Sequence, residues 1–258
     1  MIFRSKNGTP FLQFASLAGF SKIRHGVFTR RCGCSQPPFQ SLNISRGIGD
    51  DARHVAQNRQ IIALCLEAGD LVFAQQVHGA QVCVLARDDR ASNGRSARDR
   101  LLVGDSLVTD IPGKFLVIQV ADCQSVMLYD PRRQVVANVH AGWRGSIRNI
   151  IGQTVQIMEN RFGCEPPHLM AGVGPSLGPC CAEFVNYKGE IPPEFWAYKD
   201  DRDHFDFWTI SSDQLIAAGL DTKNINLSKI CTKCNTDMFF SYRGEGTTGR
   251  FAAVIGLA

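Results

Sequence analysis

The sequence predicts one α/β domain of the mixed α+β kind, with mostly antiparallel sheets and helices packed outside. Three observations carry this. Apolar runs of strand length interleave with segments whose apolar residues recur at helical spacing. The turn former Asp130-Pro131-Arg132-Arg133 separates two such runs, as in a hairpin. No internal repeat or low-complexity linker divides the 258 residues, which are enough to bury one large core and form a single domain over 1–258.

Taken in order, residues 11–28 predict a strand, a loop and a second strand. Residues 30–43, RRCGCSQPPFQSLN, are rich in turn formers and predict a loop. Asp50 and Asp51 stand where a helix cap belongs. Val55, Arg59, Ile62, Ala63 and Leu66 follow at helical spacing, with Gly69 as the stop. Runs 71–76 and 81–86 predict a hairpin-like pair with Val77-His78-Gly79-Ala80 at its tip. Residues 87–100, RDDRASNGRSARDR, predict an exposed, mobile loop.

Strand patterns return at 101–108, 115–120, 125–129 and 134–140. Ser146 predicts the cap of a helix with an apolar stripe of Ile147, Ile150, Ile151, Val155, Met158 and Phe162, stopped by Gly163. A strand follows at 169–173, an aromatic and proline-rich surface connection at 191–207, a short helix at 211–219, and a last strand in 250–258.

The segment 115–143, FLVIQVADCQSVMLYDPRRQVVANVHAGW, holds the reactive residues. If Tyr129 pairs with Gln134 across the turn, six steps outward on each strand set Cys123 opposite His140. Directly opposed residues have Cβ atoms roughly 4.5–5.5 Å apart. That lets both side chains hold one metal ion, or lets His140 deprotonate Cys123. The same parity puts Val126, Leu128, Val135, Ala137 and Val139 together on a buried face. Beyond His140, a glycine-containing turn leads into a helix start, where free N–H groups favour an anion, and Arg144 stands in that turn.

Bulk properties exclude several classes. No run approaches the ~18 apolar residues of a membrane helix, and no signal-peptide pattern opens the chain, so a cytoplasmic protein is expected. A net charge of +4 permits an anionic small molecule or weak nucleic-acid contact but argues for neither, and no nucleic-acid partner is expected. Ten cysteines without a secretory signal read as thiols or metal ligands rather than disulfides. Cys65 and Cys83 read as core, Cys180 and Cys181 as packed thiols. Cys231-x-x-Cys234 alone is weak as a zinc pair. Gly244-x-Gly246-x-x-Gly249 matches a dinucleotide fingerprint by letter but precedes a strand, not a helix.

Six ordered motifs then identify a family resemblance: QQVHG at 75–79, ADC at 121–123, HAGWRGS at 140–146, GVGPSLGPCC at 172–181, CTKC at 231–234 and FFSYR at 239–243. They resemble the YfiH/YlmD family, described formerly as multicopper polyphenol oxidase or laccase-domain protein, now as purine nucleoside phosphorylase, and in some bacteria as peptidoglycan editing factor. The resemblance implies a layered YfiH-like fold and one metal, zinc or alternatively copper, held by His78, Cys123 and His140. It implies phosphorolysis of adenosine, inosine, guanosine and S-methyl-5′-thioadenosine, with purine nucleoside and phosphate as ligands, and deamination of adenosine. Departures exist: Gln124-Ser125 stands where the family has Leu-Pro, and Gly244-Glu245-Gly246 replaces its Arg-Asp-Gly, removing a second C-terminal arginine.

For these reactions Arg144 and Arg243 are the expected phosphate contacts, with Asn43 and Gln76 as polar contacts and Asp122 as proton carrier. The rivals are a cysteine hydrolase, with Cys123 as nucleophile and His140 as base, acting on peptidoglycan precursors, a copper polyphenol oxidase, and a non-enzymatic metal-binding protein. The six histidines form no H-x-H pair, which argues against a multicopper oxidase.

Overall fold

The computed structural model describes residues 1–87 and 101–258. Of the charged segment 87–100, only Arg87 is among the described residues. The chain opens with β1 (Ile2–Lys6), β2 (Thr9–Gln13), the short α1 (Ala15–Ala18) and β3 (Ile23–Phe28). β1, an exposed edge strand lacking apolar alternation, was not expected; it pairs Phe3 with Leu12 of β2. Next come α2 (Ala52–Leu66), β4 (Asp70–Phe73), β5 (Val82–Leu85), β6 (Ser106–Thr109), β7 (Lys114–Val120), β8 (Gln124–Asp130) and β9 (Val135–Ala141). The second half holds α3 (Trp143–Ile147), α4 (Ile150–Phe162), β10 (Met170–Val173), α5 (Tyr187–Glu190), α6 (Phe207–Ala217), β11 (Ile225–Leu227), α7 (Tyr242–Glu245) and β12 (Phe251–Leu257).

Two six-stranded sheets result, in the orders β1-β2-β3-β12-β7-β4 and β11-β10-β8-β9-β6-β5. Pairing is antiparallel except at β4–β7, β5–β6 and β10–β11. The sheets face each other across the main core. Leu116, Ile118 and Val120 of β7 and Ile255 of β12 share it with Met127 of β8 and Val136 of β9. On the far side of the first sheet, Ile62 and Leu66 of α2 cover Phe115, Val117 and Val254. On the far side of the second, Ile150, Val155 and Met158 of α4 cover Val126 and Val139. This four-layer arrangement explains why β7 and β12 are continuous apolar runs: both their faces are buried.

Several expectations need correction. The runs around β4 and β5 form no hairpin. β4 joins the first sheet beside β7 and β5 the second beside β6, both in parallel. Parallel partners lie far apart in sequence, so local turn signals do not reveal them. The α2 helix ends at Glu67, not Gly69. Glu67 adopts a left-handed conformation (φ 49°), and its carboxylate meets Lys6 at 2.6 Å and Arg24 at 2.7 Å. Asp51 caps the helix start as expected, accepting from the Arg53 N–H.

Ser146 is no cap. It is buried inside α3, and Asn149 begins α4 by accepting the Gly152 N–H. The connection at 191–207 is not merely surface: Ile191, Phe205 and Phe207 pack with Tyr187 and Ile210 in a small aromatic core. The strand expected over 101–108 is shorter, beginning at Ser106, and α6 begins at Phe207, capped by Asp206. The glycine run before β12 opens no helix, as the sequence required.

Candidate metal centre

The site forms where the chain passes from one sheet to the other. The link from β4 to β5 carries His78, the link from β7 to β8 carries Cys123, and His140 stands near the end of β9. Their donor atoms lie within 4.8 Å of one another, and the two imidazoles meet edge to face with centroids 4.8 Å apart. His78 takes a left-handed backbone (φ 56°) to reach inward.

The β8–β9 register differs from the expected one by two residues. Ser125, not Cys123, pairs with His140. The cause is the turn: Asp130 pairs with Val135 and accepts from the Arg132 and Arg133 N–H groups, while the Gln134 N–H closes onto the Asp130 carbonyl at 2.9 Å. A shift of two keeps every side chain on its face. Cys123 therefore approaches His140 from the turn before β8 rather than from directly across.

Asp105 went unnoticed in the sequence and organises the centre. It is fully buried beside β6, and its Oδ1 lies 2.8 Å from His140 Nδ1. The same carboxylate accepts the backbone N–H groups of Val77, His78 and Gly79. One side chain thus orients one imidazole and fixes the loop bearing the other, the outer-shell arrangement that metal-binding histidines require. Burial alone would push the Cys123 thiol up, but His140 and His78 beside it bring it down to about 6. Burial likewise opposes the His140 charge, yet Cys123 and Asp105 raise its pKa to about 9. Each group thus favours the charged form of the other.

Two nitrogens and a sulfur around a gap suit a metal ion with an open coordination position. Gly142 leaves that gap: a Cβ there would lie 3.0 Å from His78 Nδ1 and 3.1 Å from Cys123 Sγ.

The three donors line a cavity of about 730 Å³. Four arginines also line it: Arg46, Arg144, Arg243 and Arg250. The sequence singled out Arg144 and Arg243 only. Arg46 and Arg250 arrive from distant loops, a convergence that spacing does not encode. An aromatic wall of Trp143, Phe184, Phe207 and Tyr242 completes the cavity. Arg144 lies over the Trp143 ring at 4.2 Å, and Arg243 donates to the Glu183 carbonyl at 2.7 Å.

Gln76 lines the cavity but exchanges two hydrogen bonds with the Gln119 backbone. The Gln119 side-chain oxygen is buried in the same wall with no partner among the described residues. Asn43, an expected polar contact, does not reach the cavity. It is fully buried outside the lining, and its amide is consumed by Ser45, Asp50 and the Arg250 N–H. It braces the loop that carries Arg46 and the strand end that carries Arg250. Asp122 lines the cavity with its oxygens occupied by Thr232 Oγ1, Ser241 Oγ and the Arg243 N–H.

Residues 24–258 match the family described as multi-copper polyphenol oxidoreductase laccase. The chain is 33% identical over 243 residues to purine nucleoside phosphorylase YlmD of Geobacillus stearothermophilus, covering 90% of this chain and 89% of that protein. It is 32% identical over 247 residues to a purine nucleoside phosphorylase of Bacteroides thetaiotaomicron, covering 91% of each. The crystal structure of the Bacillus licheniformis hypothetical protein YfiH superposes with a TM-score of 0.85 at 31% identity, over 99% of both chains. With the fold, the motifs and near full-length similarity in agreement, the chain belongs to the YfiH/YlmD family of laccase-like proteins whose curated members are named purine nucleoside phosphorylases.

Proposed function

We propose that this protein is a zinc-dependent purine nucleoside phosphorylase acting on adenosine, inosine, guanosine and S-methyl-5′-thioadenosine. The observation that carries the reading is one cavity holding a His₂Cys donor set, four arginines and an aromatic wall. The names of the relatives support the same activity. Two imidazoles, a thiolate and an open position form the donor set of a catalytic zinc centre; bound there, zinc would supply Lewis acidity. Copper accepts the same imidazole and thiolate donors.

In phosphorolysis a phosphate oxygen bonds to ribose C1′ as the bond from C1′ to the base nitrogen breaks. The electron pair leaves with the base, which then takes a proton. Arg46, Arg144, Arg243 and Arg250 hold the phosphate dianion and offset its charge as it approaches C1′. Trp143, Phe184 and Phe207 offer apolar faces on which the purine stacks. Gln119 presents its unpartnered oxygen to a substrate hydroxyl or amino group. Asp122 holds the Ser241–Arg243 turn in position through its three donors, so we assign it bracing of Arg243 in phosphorolysis. Deamination of adenosine is a further activity of the same pocket, for which Asp122 remains the carboxylate adjoining Cys123.

The deciding experiment incubates purified protein with adenosine or inosine, with and without phosphate, and measures free base. Base should appear only with phosphate, vanish on chelation and return with zinc. Absence of free base in zinc-loaded protein would refute the proposal.

A second reading has its own observation. Cys123 as thiolate, His140 as cation and Asp105 behind it form the order of a cysteine hydrolase. Alkylation of Cys123 in zinc-saturated protein, with turnover of a peptidoglycan precursor unaffected by chelator, would favour it. Protection of Cys123 by zinc would remove it.

A further inference from the structure

Four cysteines outside the cavity come together from two loops. Cys180 and Cys181 lie in the loop between β10 and α5; Cys231 and Cys234 lie in the loop after β11. The loops run side by side: Ser176 bridges Cys231 in parallel, donating to the Ile230 carbonyl and accepting the Thr232 N–H. This pairing joins two cysteine pairs that each carry little weight alone.

All four sulfurs lie within 4.8 Å of one another. Cys234 Sγ sits 3.7 Å from Cys180 Sγ and 3.6 Å from Cys181 Sγ. A tetrahedron of sulfurs around zinc, with bonds near 2.3 Å, has edges of roughly 3.8 Å. A disulfide would need about 2.05 Å. The cysteines are therefore unbridged and spaced as ligands of one small ion. The Gly178 backbone N–H points at Cys231 Sγ, 3.3 Å away. C-x-x-C is also a spacing that zinc sites use.

We propose that Cys180, Cys181, Cys231 and Cys234 bind a second metal ion, a closed tetrathiolate zinc with no open position. Binding sends the thiol protons to solvent. The role is mechanical. Leu177, three residues before Cys180, donates its N–H to the Asp122 carbonyl at 2.8 Å, and Thr232, one residue after Cys231, donates to the Asp122 carboxylate at 2.6 Å. Asp122 immediately precedes the cavity ligand Cys123. The second ion thus pins two loops that grip the residue beside the first centre, fixing a wall of the cavity without touching substrate. This inference does not depend on the reaction proposed above.

Elemental analysis with X-ray absorption tests it. The double variant His78→Ala, Cys123→Ser, which removes two donors of the first centre, should keep about one zinc per chain with an all-sulfur shell near 2.3 Å. The double variant Cys180→Ser, Cys234→Ser should lose that ion and melt at lower temperature. Zinc-loaded wild-type protein, which needs no variant to fold, should show a sulfur-dominated average shell from its two sites. The proposal fails if the His78→Ala, Cys123→Ser protein holds no zinc or a nitrogen-containing shell. It also fails if the wild-type shell is dominated by nitrogen, or if mass spectrometry of native protein finds disulfides among these four cysteines.

Discussion

At the scale of residues, Asp105 and Arg144 separate two kinds of contribution. Asp105 touches no substrate, but it fixes the His140 ring and the His78 loop together. Asp105→Asn keeps the shape and loses the charge. It should weaken zinc binding by about 10- to 100-fold, measured by competition with a chromophoric chelator. Arg144 is exposed at the cavity wall and stacks on Trp143. Arg144→Ala should raise the KM for phosphate about tenfold or more, the worth of a charge-assisted hydrogen bond, while the melting temperature holds. Cys123 and His140 were legible from strand parity, because parity survives a register error of two. His78 was legible only through the family motif. Asp105 was invisible, since its partners stand 26 to 35 positions away and no local pattern marks them.

At the scale of elements, the two sheets are held by more than apolar contact. Asn138 of β9 is fully buried, and its Nδ2 donates across the core to the carbonyls of Leu116 on β7 and Ala253 on β12, each at 2.9 Å. Asn138→Ala removes both bonds and leaves a void. It should cost about 2–3 kcal/mol, read as a lower denaturant midpoint with unchanged slope. The sequence signalled β7, β8, β9 and β12 as apolar runs but not which sheet each joined. Strands β4 and β5 show why. Their partners are parallel and distant, and the short loop between them crosses between layers instead of closing a hairpin. Helix α2 was legible from its cap and stripe, yet it closes at Glu67, whose left-handed backbone N–H bonds to the Ala63 and Leu64 carbonyls, a turn that no local residue preference marks.

At the scale of the whole molecule, acid sensitivity is built into the first sheet. His25 of β3 is 1% exposed, and its Nε2 accepts the Phe14 N–H at 2.9 Å. Burial pushes its pKa down to about 4. The folded protein keeps this ring neutral, whereas the unfolded chain takes up a proton below about 6.5. Stability from this group is therefore complete above that value and is lost as the pH falls towards 4. The loss amounts to about 3 kcal/mol across the window. Denaturant midpoints between pH 7 and 4 should fall for the wild-type protein and fall less for His25→Gln. Equal slopes would show that other groups control the acid transition. Among the described residues no helix is long and apolar enough to cross a membrane.

The crossings between layers have one more implication. His78 and Cys123 ride on the two links that leave the first sheet, while His140 belongs to the second. An ion shared by the three is a rivet through the sandwich, so its occupancy and the breathing of the layers become one coordinate. Prising the sheets apart would first have to release such an ion, and loading it would hold the layers together.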